Sequence, residues 1–201
     1  MAGSRPKAAG YSMIEILVAL VVSLVTLMGA AGLVVRTVQQ ETEAVQRLQA
    51  LTLVQDMVDR ININRQVASC YSDGANGVKV GKGATQTKDE QGTVSVSLPT
   101  CTSGNSSENA KAEADLEQWH ELLSGAAVQT DDNANIGAML NATGCIEQVS
   151  AADREYRITV AWQGMNHTQE PSNDCGSNQY TAPDQALRRT VSLLVRVGNL
   201  Q

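Results

Sequence analysis

The sequence predicts an α+β fold in which one long N-terminal helix is the spine of an antiparallel sheet. Two observations carry this. Apolar side chains run at helical spacing through residues 11–66, and no proline falls between residues 11 and 98. Further on, Tyr156–Trp162 and Val191–Val197 alternate apolar with polar residues, the period of strands with one buried face. A sheet of such strands packed on the helix buries the apolar side of both.

The elements follow in chain order. Tyr11–Val35 is a stretch of 25 residues with a single charge, Glu15. At about 1.5 Å per residue this helix spans roughly 37 Å, more than the ~30 Å of a bilayer's hydrocarbon core. No second run of this kind occurs, so the chain is expected to cross a membrane once. From Val34 onward, Val34, Val38, Val45, Leu48, Leu51, Val54, Val58 and Ile61 recur at steps of three, four and seven. They define one face, with Glu41, Glu43, Arg47, Asp56, Asp59 and Arg60 mostly elsewhere. The helix therefore divides into an apolar half, 11–35, and an amphipathic half, 36–66, ahead of a head formed by 67–201. The alternative is two helices broken near Gly29 or Gly32.

In the head, Thr93–Leu98 alternates as a strand does. A second helix is predicted over 108–123. Leu116, Trp119, Leu122 and Leu123 share one of its faces, and Gly125 suits its stop. Trp119 reads as a core anchor. Tyr156, Ile158, Val160 and Trp162 form the buried face of one strand; Val191, Leu193, Val195 and Val197 form that of another; Ile146–Val149 supplies a third. Between the first two lies a long polar loop, 163–186, punctuated by Pro171 and Pro183.

The N-terminus departs from an ordinary secretory signal. Arg5 and Lys7 precede the apolar stretch and hold that end on the cytoplasmic side. A secretory signal has its small-residue cleavage site after the apolar stretch, but Val34-Val35-Arg36-Thr37 offers none. The small residue, Gly10, stands before it. Cleavage after Gly10 would remove residues 1–10 as a leader and leave the helix on the mature chain. Glu15 would then be the fifth residue behind a new α-amine on Tyr11. A carboxylate in a spanning segment costs a few kcal/mol at the bilayer centre and usually has a partner. The amine of a neighbouring helix of the same kind is such a partner; snorkelling to the interface is the alternative.

Composition sets further bounds. The net charge is −6 and there is no run of Lys and Arg, which argues against nucleic acid as the main partner. Cys70, Cys101, Cys145 and Cys175 lie outside the apolar stretch with no Cys-x-x-Cys spacing, so zinc and thioredoxin chemistry have no support. Two disulfides suit an oxidising periplasm. Of three connectivities, Cys70–Cys101 with Cys145–Cys175 is favoured as the local pairing, and a crossed pairing is the alternative. His120 and His167 read as surface residues, and Asp115, Glu117 and Glu121 as the solvated face of the second helix. Asp131-Asp132-Asn133-Ala134-Asn135 lacks the Gly and Glu that complete a calcium loop. No P-loop, Gly-x-Ser-x-Gly or His-Glu-x-x-His occurs, so no metal, cofactor or enzymatic activity is expected. Asn105, Asn141 and Asn166 open glycosylation sequons of the kind that arise often by chance.

The string Gly10-Tyr11-Ser12-Met13-Ile14-Glu15-Ile16-Leu17-Val18-Ala19-Leu20 resembles the class III signal of type IV prepilins, with Tyr11 where that family more often has Phe. The segments Ala114–Trp119, Gly144–Ile146 and Tyr156–Gly164 look like a minor pilin of the PilV type, the type IV pilus modification proteins. The resemblance implies a pilin-like fold, cleavage between Gly10 and Tyr11 by a prepilin peptidase, N-methylation of Tyr11 and a role for Glu15 in subunit assembly. It implies partners too: other minor and major pilins, the inner-membrane assembly platform and membrane lipid. It places the chain in the inner membrane, head in the periplasm, before assembly, and in a surface pilus afterwards, at its tip in one version. Two other roles compete. One is a pseudopilin of type II secretion, which shares the N-terminal signature. The other is an adhesin or DNA-uptake subunit using loops 71–92, 102–110 and 163–186.

Overall fold

The computed structural model describes residues 10–74, 77–88, 94–125, 131, 135, 139–177, 179–180 and 185–198. Residues 1–9 of the expected leader 1–10, Thr93 and the centre of the 131–135 segment lie outside them. The chain forms two compact units, residues 1–42 and 43–201, taken here one at a time.

Helix α1 runs over Met13–Ile63 and passes through Gly29 and Gly32 without a break. In the first unit its large apolar side chains, from Met13 to Val38, are exposed. By length and composition this stretch can cross a membrane. Its hydroxyls are bonded within the helix: Ser23 to the Ala19 carbonyl at 2.8 Å, Thr26 to Val22 at 2.8 Å and Thr37 to Leu33 at 2.9 Å. Such internal satisfaction is what a helix in hydrocarbon requires of its polar groups.

In the second unit α1 ends at Ile63, three residues before the predicted end at 66, and a 3-10 turn over Arg65–Tyr71 follows. Asn64 is the reason. Its side-chain Nδ2 donates to the Tyr71 hydroxyl at 3.2 Å and to the Glu108 carbonyl at 2.9 Å, bonds that compete with continued helix. The buried stripe of α1 is Ala50, Val54, Met57 and Ile61, at steps of four, three and four. The face expected from Val45 and Leu48 is not continuous with it: both are exposed, and the buried register passes through Ala50 and Met57 instead.

The strands are β1 (Val78–Gly81), β2 (Gln86–Lys88), β3 (Val94–Val96), β4 (Thr143–Ser150), β5 (Glu155–Gln163) and β6 (Arg188–Arg196), with helix α2 over Ser106–Ser124. β1, β4, β5 and β6 form one antiparallel sheet in that order, and β2 and β3 pair separately. The architecture is α+β, with the long helix packed on a four-stranded antiparallel sheet. α2 starts early because Asn105 caps it. Its side chain accepts from the Ser107 and Glu108 amides while the Glu108 carboxylate accepts from the Asn105 amide. Such a cap is worth about 1 kcal/mol. The expected loop 102–110 is therefore helical from residue 106. Gly125 ends α2 in the left-handed conformation, φ 77°.

The main core joins the α1 stripe to Leu116, Trp119 and Leu123 of α2 and to Val80, Ile146, Ile158 and Val160 of the sheet. Trp119 is fully buried and its indole N–H donates to the Leu53 carbonyl at 3.0 Å. Gly144 lets the ring lie against β4: a Cβ there would sit 2.5 Å from the Trp119 ring and 2.6 Å from Leu123. β5 departs from expectation. Thr159 and Ala161, assigned to solvent by alternation, are buried as completely as their neighbours. The segment after β5 folds back over that face and forms a second small core of Cys145, Ala161, Cys175 and Tyr180.

Candidate functional site

Gly10, Tyr11 and Ser12 precede the first turn of α1. The Ser12 carbonyl opens the helix by accepting from the Glu15 and Ile16 amides at 3.0 and 3.3 Å. Among the described residues Gly10 has no neighbour within 4 Å of where a Cβ would stand, and Tyr11 is 80% exposed. The Gly10–Tyr11 peptide thus lies outside the helix and open to an approaching molecule. Glu15 sits in the first turn, where the positive end of the helix dipole favours a carboxylate. A second copy of this arrangement would meet it with the same elements, an exposed apolar helix and a carboxylate near its start.

In the head, the cysteines are joined as Cys70–Cys101 and Cys145–Cys175. The first ties the 3-10 turn after α1 to the segment before α2. The second ties β4 to the long connection between β5 and β6. With sequence separations of 31 and 30, each contributes about 3–4 kcal/mol in the loop-entropy account.

That connection has a further fastening which the sequence did not reveal. Arg188, at the start of β6, is only 2% exposed. Its guanidinium donates to the carbonyls of Asn173, Cys175 at 2.9 Å and Pro171 at 3.0 Å, and pairs with Glu170 at 3.4 Å. Tyr180 adds a bond from its hydroxyl to the Asn141 carbonyl at 3.0 Å, and burial pushes its pKa up to about 12. At the other side Glu43 accepts from the Met165 and Asn166 amides at 3.3 and 3.2 Å, with Arg189 at 3.6 Å. The described part of loop 163–186, a binding surface in the adhesin alternative, is in large part bound down. Two adjacent arginines beside a strand gave no signal that one would be buried.

Asp115 and His120 require correction as well. Asp115, expected on a solvated face, is 3% exposed. It accepts from the Tyr71 hydroxyl at 2.6 Å, from Arg60 at 3.1 Å and from Lys111 at 3.2 Å. Arg60 also reaches Asp56 and Gln118, both at 2.8 Å. Burial, together with the bond to Asp115, raises the Tyr71 pKa well above its ordinary value. The cluster joins α1, the 3-10 turn and α2. Glu117 and Glu121 are exposed as expected. His120 is half-buried, and its Nδ1 accepts from the Gly81 amide at 2.9 Å; burial lowers its pKa. His167 is exposed.

Among the described residues no group of three His, Cys, Asp or Glu side chains could hold a metal ion. A hollow between the end of β1, the end of α2 and residues 139–142 is lined by Lys82, Leu123, Met139 and Leu140 among others, with no His, Cys, Asp or Glu in its described wall.

Residues 32–117 match the family model of Tt1218-like chains, described as type IV pilin Tt1218. The chain is similar to a type IV pilin. The matched stretch holds most of α1, the first disulfide and the first part of α2; it includes neither the Gly10–Glu15 segment nor β4 to β6. The similarity supports the role of a pilin subunit, a structural part of a filament, with other pilins as its partners. An apolar N-terminal helix and two disulfides fit that role. No curated protein and no solved structure matches the chain.

Proposed function

We propose that this chain is a PilV-type minor pilin that acts in type IV pilus assembly. The observation that carries the reading is the stretch Tyr11–Val35 of the first unit: an exposed apolar helix bearing one carboxylate, Glu15, four residues after Tyr11 of the accessible Gly10–Tyr11 peptide. In this reading a prepilin peptidase cleaves after Gly10 and methylates the Tyr11 amine. The helix waits in the inner membrane with the head in the periplasm. On assembly it moves into the filament core beside other pilin helices, where Glu15 meets the α-amine of a neighbour. The charges offset one another, and their fixed place on each helix sets the axial register. The head, stapled and turned outward, presents its surface at the pilus or its tip.

The test is a deletion strain scored for surface pili, twitching and secretion of type II substrates, complemented with the wild type, Gly10→Ala and Glu15→Ala. The expected result is loss of pili with secretion intact, restored only by the wild type. Gly10→Ala should keep its leader, and Glu15→Ala should enter the membrane without restoring assembly. Normal processing of Gly10→Ala would refute the cleavage site. Normal piliation with Glu15→Ala would remove the role given to that charge. Loss of secretion with pili intact would move the chain to the pseudopilins. An unchanged deletion strain would favour a specialised adhesin or uptake subunit.

A further inference from the structure

Helix α1 is held in two different ways along its length. The stretch up to Val35 suits hydrocarbon, and from Ala50 onward the stripe Ala50, Val54, Met57 and Ile61 is fully buried in the head. Between them lie the fourteen residues 36–49, about 21 Å of helix. None of these belongs to the main core or packs against it. Their large apolar side chains, Val38, Val45 and Leu48, are exposed. This part of α1 has neither lipid nor apolar packing to hold it.

Local sequence holds it weakly as well. A helix of this length is marginal in water, and most helical stability in proteins comes from packing. Thr37, Val38, Thr42 and Val45 are β-branched and lose side-chain freedom in a helix. The Thr37 and Thr42 hydroxyls donate back to the Leu33 and Val38 carbonyls, each at 2.9 Å, bonds that bend and slightly weaken a helix. Among the described residues, Gln46 Oε1 is buried without a hydrogen-bond partner, a further cost. Glu43 stands four residues before Arg47, the spacing of a helix-stabilising ion pair, but its carboxylate turns to the head instead. Glu43 Oε1 accepts from the Met165 and Asn166 amides at 3.3 and 3.2 Å and from Asn166 Nδ2 at 3.2 Å, with Arg189 at 3.6 Å. Four donors converge on one oxygen. Among the described residues, no other side chain of 36–49 makes a hydrogen bond or ion pair to the head.

We propose that residues 36–49 are a helix–coil hinge between the anchor and the head, and that Glu43 is the latch that keeps the hinge closed. Closed, α1 is one helix through Ile63. Opened, the segment gives up its polar hold on the head, while the buried stripe from Ala50 keeps the last turns of α1 in the core. Helix already exists on both sides of the segment, so no nucleus has to form, and its residues lie close to the balance between helix and coil. A few bonds to one carboxylate then decide the state. The open hinge lets the head turn on its anchor without unfolding. The inference rests on α1 being anchored in an apolar medium and is independent of the pilus reading.

Amide hydrogen exchange of the full chain in nonionic detergent micelles, expressed as protection factors, tests this. In the wild type the amides of residues 38–48 should be less protected than those of 54–61. Glu43→Ala should lower protection across 38–48 by about tenfold and leave 54–61 unchanged. The direction separates the latch from helix propensity: Ala is the better helix former, so propensity alone would raise protection. Glu41→Ala makes the same change at an exposed residue that has no bond to the head among the described residues, and should not lower protection. Unchanged or higher protection of 38–48 in Glu43→Ala would overturn the proposal. So would an equal loss in Glu41→Ala. A loss that spreads equally to 54–61 would make Glu43 an ordinary stabiliser of the head and overturn the hinge. Wild-type protection of 38–48 equal to that of 54–61 would overturn it too.

Discussion

Replacing Asp115 by Asn tests whether the cluster at the α1–α2 contact is structural. The substitution keeps the shape and one acceptor oxygen but removes the charge that faces Arg60 at 3.1 Å and Lys111 at 3.2 Å. Deleting one member of a buried ion pair costs about 3–5 kcal/mol when the other is left alone. Arg60 is not left alone, since Asp56 and Gln118 each remain at 2.8 Å. Lys111 is half-exposed, so its share is small. The expected loss is about 2 kcal/mol, close to the worth of one hydrogen bond to a charged group. Asp115→Ala also orphans the Tyr71 hydroxyl proton, a buried donor whose loss of partner adds about 1–3 kcal/mol. Urea unfolding of the full chain in nonionic detergent, read through the buried Trp119 and Trp162, measures both. A double-mutant cycle with Tyr71→Phe isolates the 2.6 Å bond and should show clear coupling. An Asp115→Asn midpoint equal to wild type, with no coupling in the cycle, would return Asp115 to the solvated face and refute the reasoning.

Acid should weaken the head through His120. Its neutral ring accepts the Gly81 amide, and burial sets its folded pKa below the ordinary value near 6.5. The unfolded chain thus binds the proton first. The stabilisation is complete above about pH 6.5 and declines as pH falls through the unfolded value toward the folded one. The urea midpoint should drop between pH 7.5 and 5.5 in the wild type and much less in His120→Gln; parallel curves would exclude the mechanism. Gly144→Ala should cost about 1–3 kcal/mol, the usual penalty for a methyl forced into a packed core. Its Cβ would stand 2.5 Å from the fully buried Trp119 ring. Thermal unfolding that matches the wild type would mean that the ring does not rest on β4.

Much of the architecture was legible because it rests on period. The long helix, α2 and the strands around Tyr156 and Val191 follow from spacing alone, and local loop closure favoured the cysteine pairs found in the structure. What escaped depends on who covers whom. Alternation in β5 assigned Thr159 and Ala161 to water, because nothing local says that a polar loop will return over them with Cys175 and Tyr180. Asp115 looked solvated because charge usually is, and its burial depends on Tyr71 and Arg60 arriving from other elements. The helix face was misplaced at Val45 and Leu48 for a similar reason: the sequence carries two overlapping apolar registers, and the head selects the one through Ala50 and Met57. Gly10, Tyr11 and Glu15 rest on linear spacing alone, and among the described residues no contact from the head bears on them.

The two units meet opposite demands. The first keeps its apolar side chains exposed and satisfies its hydroxyls internally, a solution suited to hydrocarbon or to other helices but costly in water. The second must hold together in water with no phenylalanine in the whole chain and only 3% aromatic residues. Large rings give the most burial per residue, so a core without them leaves less margin against chain entropy. The head makes up the difference in other ways: two disulfides across long segments, a capping box on α2, a buried carboxylate joining three elements, and Arg188 gathering backbone carbonyls that would otherwise be unsatisfied. Cys145–Cys175 and Arg188 act on the connection from β5 to β6, where the apolar cluster is small, whereas Cys70–Cys101 and Asp115 act within the main core.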